Sequence, residues 1–290
     1  MTRYVRHHGL ALQADKNFLH LIPDLAKRQL ESFRANGGFI AGGYARAVYL
    51  SAVKHMTKEQ LSDQFSDIDV YFDRDVNKSV LSDADCWSDC SQAYNNAMMN
   101  APPESGAYIR YFGAAPKQKI PERVELTSSS VKGVTVNAIM FKSGQIEDVL
   151  DSFDLVCCKV AIDGDDIITH SDFSSLERDA ILSLDQKRIE ERLSKQVSTL
   201  KKQTERIAKY YDRMKKLYSI TPKLSEKDLE FMKEILFRSK NVYLSPSFAK
   251  LVQDQYVFSD ALLIAMSLWP TSFMNSGLVR NLMGVPYGNY

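Results

Sequence analysis

Two aspartates, Asp67 and Asp69, sit in the run Ser66-Asp67-Ile68-Asp69-Val70-Tyr71-Phe72. In a β-strand, residues i and i+2 share a face, so the two carboxylates project side by side. Ile68, Val70 and Phe72 then face the opposite, buried side. Adjacent carboxylates repel unless a cation lies between them, and hard oxygen donors so arranged suit Mg²⁺ or Mn²⁺. Upstream, Phe39-Ile40-Ala41 runs into Gly42-Gly43. A glycine pair lets a backbone come close to a phosphate, and the N-terminus of a following helix favours anions. Together these parts describe a site for a metal-bound nucleoside triphosphate. Asp67 and Asp69 would hold the metal, and Gly42, Gly43 and the next amides the β- and γ-phosphates. Arg46, one turn into the helix, would either neutralise a leaving pyrophosphate or cap a surface. Ser66 would bond phosphate or merely start the strand.

The elements that position these residues follow from periodicity. Leu19, Leu21, Ile22, Leu25, Ala26, Leu30 and Phe33 predict a helix over 15–35, ended by Asn36-Gly37-Gly38. Phe39–Ala41 is a short buried strand, and a helix runs from Tyr44 to about Met56. Residues 57–64 read as a polar loop inserted before the strand Phe65–Phe72. A helix is expected over 79–100, broken by Ala101-Pro102-Pro103. Tyr108–Phe112, Arg123–Ser128 and Val134–Phe141 are strand candidates, the last two joined by a hairpin turn at Lys132-Gly133. A turn and short helix over Ser143–Asp151 precede a strand over Leu155–Ile162. Asp163-Gly164 then turns the chain into Ile167-Ile168-Thr169. Strands and helices mix without strict alternation, which predicts an α+β fold.

Beyond residue 173 strands nearly vanish, so a strand-bearing domain over 1–172 and a helical one over 173–290 are expected. Ile189, Leu193, Val197, Leu200, Thr204, Ile207, Tyr211, Met214 and Tyr218 recur at steps of four and three. That stripe predicts a single helix over 187–218. Its other faces are basic, with eleven lysines and arginines against five acids between Asp185 and Leu217. They form either a solvated surface or a contact for an RNA backbone. Tyr210 lies off the stripe, where it can stack a base. Ser225–Arg238 and Ser259–Leu268 are further helices.

At Gly42-Gly43, the helix from Tyr44 and Asp67-Ile68-Asp69, the chain resembles the DNA polymerase β-like nucleotidyltransferase superfamily. It resembles most closely uncharacterised nucleotidyltransferase-like proteins of large phages and viruses. The resemblance extends over about residues 36–170, through Val136-Asn137-Ala138-Ile139-Met140-Phe141 and Ser152-Phe153-Asp154-Leu155. It implies a nucleotidyltransferase-type mixed sheet flanked by helices, and transfer of a nucleoside monophosphate from an NTP to a hydroxyl. Asp67 and Asp69 would bridge two divalent ions about 3.5–4 Å apart. Relatives carry a third carboxylate on a later strand, where this chain has Asn137. Asp154 is the candidate replacement as third metal ligand and catalytic residue, with Asn137 the other option. The acceptor is an RNA 3′ end of tRNA type or a protein side chain. The alternative is a catalytically silent fold that serves as a nucleic-acid- or protein-binding protein.

Composition bounds these readings. The 290 residues carry 44% hydrophobic residues, enough for a full core, and a net charge of +1, which exerts no global pull on polyanions. No apolar run is long enough for a transmembrane helix, and Met1–His8 lacks the apolar core of a secretory signal. Cys86, Cys90, Cys157 and Cys158 follow no zinc spacing and read as thiols in a reducing cytosol. The histidines are too scattered for a metal hydrolase. A cytoplasmic protein without membrane contact is expected, and nothing in the sequence sets its oligomeric state.

Overall fold

The structure is a computed structural model that describes residues 3–11, 30–31, 34–35, 37–56, 60–61, 63–73, 109–112, 123–127, 135–141, 145–194, 198–238 and 246–255. Several expectations lie outside these residues: the helix over 79–100 with its proline break, the turn at Lys132-Gly133, the helix Ser259–Leu268, and Cys86 and Cys90. Of the helix over 15–35, only Leu30, Glu31, Arg34 and Ala35 are described, and they are helical.

The chain divides into two compact units. The first takes residues 1–153 and 157–174. It is built on an eight-stranded sheet with strands β1 (Tyr4–His7), β2 (Phe39–Ala41), β3 (Asp67–Asp73), β4 (Ile109–Phe112), β5 (Arg123–Thr127), β6 (Thr135–Phe141), β7 (Val160–Asp163) and β8 (Asp166–His170). The spatial order is β1-β8-β7-β2-β3-β6-β5-β4. β3 and β6 run parallel and every other neighbouring pair is antiparallel, so the sheet is mixed and the fold is α+β.

Alternation explains β3. Ile68, Val70 and Phe72 are buried on one face, and each such side chain contributes about 1.5–3 kcal/mol relative to exposure. On the other face, Tyr71 is also buried. It stacks on Phe39 of β2 and meets the Phe153 ring edge-on. Asp67 and Asp69 on that face are half-exposed. The helix after the glycine pair, α1 (Gly43–Lys54), buries residues around its whole circumference from Tyr44 to Leu50, as a helix inside a core must. His55 in the left-handed region ends it. A six-residue helix, α2 (Ile146–Asp151), packs on β2 and β7.

The second unit takes residues 154–156 and 175–290. After the short helix α3 (Phe173–Arg178), it contains α4 (Gln186–Leu193), α5 (Ser198–Tyr218), α6 (Glu226–Arg238) and α7 (Pro246–Gln255). The single helix expected over 187–218 is thus two: α4 closes at Ser194, and α5 begins at Ser198. The apolar stripe is nonetheless buried at Ile189, Leu200, Thr204, Ile207, Tyr211 and Met214. The run Leu155–Ile162 also departs from expectation. Val156–Cys158 is a 3₁₀ turn holding both buried cysteines, and the strand starts only at Val160. Leu155 instead bridges to Leu184. Among the described residues no helix is long and apolar enough to cross a membrane.

Candidate functional site

The sheet register builds the site. Asp69 on β3 stands opposite Ala41 on β2 and opposite Asn137 on β6. Ala41 leads directly into Gly42, so sheet pairing brings the glycine turn to the acid strand. A Cβ placed on Gly42 would stand 4.0 Å from Oδ2 of Asp69 and 3.7 Å from the Phe153 ring. Asp67, two residues earlier on the same face, accepts a hydrogen bond from Ser66 Oγ at 3.0 Å. Ser66 therefore orients a carboxylate at the exposed mouth of the strand.

Gly42 is required by its backbone. Its φ of 95° and ψ of −141° fall in territory that L-residues avoid. Its N–H is spent on the Val160 carbonyl at 2.9 Å, and its own carbonyl accepts from Arg46 N. The helix's first-turn amides therefore begin at Gly43, where helix geometry leaves N–H groups without an intrahelical acceptor. Space exists for a methyl group at Gly42, so Gly42→Ala tests conformation alone. It is expected to lower the stability of the sheet unit by about 1–3 kcal/mol, read as a shifted urea midpoint at unchanged slope.

Asn137 is buried, 4% exposed, and its Nδ2 donates to Asp69 Oδ1 at 2.8 Å. Its Oδ1 has no hydrogen-bond partner among the described residues, an arrangement that typically costs about 1–3 kcal/mol. A buried acceptor left unmet beside a carboxylate is suited to a cation. Asp69 and Asn137 thus bring together hard oxygen donors of the kind a divalent ion takes, with Asp67 two residues earlier on the same strand face. Among the described residues no group of three or more histidine, cysteine or acidic side chains is placed to hold a metal ion.

Two sequence candidates have other duties. Arg46 is fully buried and donates from Nη1 to Gln64 Oε1 at 2.9 Å, so it is not a surface cap. Gln64 is itself buried, as is Leu61, whereas Gln60 and Asp63 are exposed, so the described part of the expected loop at 57–64 turns two side chains inward. Asp154 belongs to the helical unit and has no exposure. Its Oδ2 accepts from Arg192 at 2.9 Å and Gln203 at 2.7 Å, and its Oδ1 from Arg206 at 2.9 Å. Burial pushes this carboxyl up, but Arg206, Arg192 and Gln203 outweigh it and hold it below the usual carboxylate range. Both oxygens are committed to cationic and amide donors, so Asp154 serves as the anion of a buried cluster within the helical unit.

Phe153, next to it in sequence, is the residue the sequence reading passed over. Its ring walls the glycine turn and covers Tyr71. A phenylalanine between Ser152 and Asp154 carries no sequence signal that separates such a wall from ordinary core.

In the helical unit several side chains of the basic stretch are internally paired. Arg192 and Arg206 serve Asp154, Lys215 reaches Asp254 at 2.5 Å, and Lys201 and Glu205 pair at 3.9 Å. Tyr210 is 5% exposed, with the Arg206 and Arg213 guanidiniums 5.5 and 5.2 Å from its ring centroid. It is therefore closed to a stacking base. An open groove of about 750 Å³ lies past the end of α5, lined by Lys215, Lys216, Lys250 and the hydroxyl residues Ser219, Thr221 and Ser247, among others.

Comparison with known proteins yields one family. Residues 13–177, which include β2, α1, β3, β6 and Asn137, match the family described as Gabija anti-defense 2 family protein. No curated protein matches the chain. Among solved structures, a CCA-adding enzyme complexed with CTP is similar over the whole chain at 12% identity and a TM-score of 0.43. The chain spans 63% of that protein's length.

Proposed function

The chain belongs to the Gabija anti-defense 2 family, and from that premise we propose that its sheet unit is a divalent-cation-dependent nucleotidyltransferase centre. The observation that carries this reading is the meeting of Gly42 with Asp69 Oδ2, with Asn137 on the far side of the same carboxylate. A phosphate-approach turn and a metal-binding acid are of little use apart; here Ala41, which leads into Gly42, pairs with Asp69, and a Cβ built on Gly42 would lie 4.0 Å from Asp69 Oδ2. An anti-defense role also suits the phage origin that the resemblance to viral nucleotidyltransferase-like proteins implies.

In the proposed reaction an acceptor hydroxyl oxygen bonds to the α-phosphorus of an NTP. The bond from that phosphorus to the β-bridging oxygen breaks, pyrophosphate leaves, and the hydroxyl proton passes to solvent. Asp67 and Asp69 hold Mg²⁺ or Mn²⁺. When bound, the metal screens the phosphate charge and acidifies the acceptor hydroxyl. Ser66 keeps Asp67 turned toward the site. The first-turn amides of α1 receive the outer phosphates, aided by the positive end of the helix. Phe153 shields the turn from water on one side. Arg46 is proposed to act through the turn, holding Gln64 under the start of α1.

The lysine-lined groove in the helical unit favours RNA as the acceptor-bearing partner. The test is incubation of the full chain with each α-labelled NTP, Mg²⁺ or Mn²⁺, total RNA and a lysate containing Gabija proteins. Label in RNA, lost on adding EDTA, is the expected result. Label in protein would move the acceptor to a protein side chain, and no labelled product with any NTP would sink the enzymatic reading. One observation favours a second reading, a silent fold that binds without turnover: an uncharged amide stands where the resemblance implies a third carboxylate.

A further inference from the structure

On the triphosphate reading above, we propose that Lys159 is a positioning residue for the nucleotide, a buried positive charge beside the glycine turn that favours the outer phosphates without touching them. Lys159 has no exposure. It immediately precedes Val160, whose carbonyl accepts the Gly42 N–H at 2.9 Å. The sheet register fixes its side. Ala161 pairs with Ala41, and Ala41 pairs with Asp69. Directly paired residues share a face, as do residues i and i+2. The ladder between β7 and β8 continues one residue back from Val160, where the Lys159 carbonyl accepts from His170 N at 3.1 Å. Lys159 therefore stands on the Asp69 face. β7 runs antiparallel to β2, so its start lies beside the end of β2, where Gly42 turns.

Two further contacts agree with this placement. Burial holds the His170 imidazole below its ordinary range, and Lys159 and Arg3 add to that effect against Asp172 and Asp151. Tyr4, paired with His170, donates to Asp151 at the end of α2, and Phe153, two residues on, walls Gly42. An ammonium enclosed by protein is costly to hold, and an apolar side chain of similar length would pack there without that cost. The glycine turn is where such a charge has a use. The first-turn amides of α1 offer only partial charges. A full charge enclosed beside them is little screened and acts across the turn.

The experiment is equilibrium binding of α,β-methylene-ATP and of AMP, with Mg²⁺, to the full chain as wild type, Lys159→Arg and Lys159→Met. Methionine keeps most of the stem and drops the charge. Lys159→Met is expected to bind the ATP analogue at least about tenfold more weakly. AMP, which lacks the outer phosphates, should bind it as it binds the wild type, and Lys159→Arg should keep the affinity for both. Equal weakening of both ligands, the mark of a packing role, would overturn the proposal, as would an unchanged affinity for the analogue. If Lys159→Met does not fold, the lysine ammonium resonance of the wild type decides, assigned by its loss in Lys159→Arg. It is expected to shift with the analogue and not with AMP, and a resonance that the analogue leaves in place overturns the proposal. Failure of the underlying reading looks different: the wild type binds neither nucleotide.

Discussion

Asp69→Ala is expected to reduce NTP-dependent labelling by at least about 10²–10³-fold, the scale seen when one group that stabilises developing charge is removed. Asp67→Ala should act in the same direction, and the double variant should give no product above background. The argument is geometric. Asp69 is the residue common to all three parts of the site, with Gly42 beside one oxygen and Asn137 on the other. Asp67 has Ser66 as its polar neighbour. Asp69→Ala also removes Asn137's acceptor, so a small stability loss is expected. Asp69→Asn keeps the side-chain shape and separates the two effects. Circular dichroism should show an intact fold for each variant. Wild-type labelling in the double variant would refute the assignment of both aspartates.

The second large effect concerns stability. Asp154→Ala removes the anion from a buried cluster and leaves Arg192, Arg206 and Gln203 facing an empty position. Breaking buried pairs this way costs about 3–5 kcal/mol. The lower end is expected here, because the two guanidiniums are 34% and 35% exposed and can rehydrate. The folded-state pKa of Asp154 is depressed. Its stabilisation is therefore complete above the ordinary carboxylate pKa of about 3.9 and is lost as pH falls through the lower, folded-state value. Urea midpoints at pH 7 and in the acid range measure this. Asp154→Asn should lower the midpoint at pH 7 and flatten the acid dependence. Equal midpoints for wild type and Asp154→Ala at pH 7 would contradict the structural role.

What could be read from the sequence was what local periodicity determines. The alternation around Ile68, Val70 and Phe72 identified a strand with its acids on one face, and the mixture of strands and helices identified an α+β fold. Asn137 could be aligned with the acid strand because an apolar run surrounds it. Long-range pairing was not legible. Asp154 is joined to Arg192 and Arg206 across 38 and 52 residues, and no spacing rule connects them. Arg46 is an arginine on a helix, and nothing local says that it points inward to Gln64. Tyr210 lay off the stripe by counting, yet two arginines cover it. The break at Ser194 escaped notice because the apolar rhythm continues through it. α7 carried a usable signal, Pro246 at its first position with Phe248, Leu251 and Val252 at helical spacing.

Asp154–Val156 belongs to the helical unit although the chain before and after it belongs to the sheet unit. Anyone trimming the gene inherits a consequence. A fragment ending at residue 177, the limit of the family match, would keep Asp154 and discard every side chain that neutralises it. Such a fragment would expose an orphan anion next to Phe153, which lines the glycine turn. No single scissor point separates the sheet unit from the helical unit without this damage, so both belong together in an expressed chain.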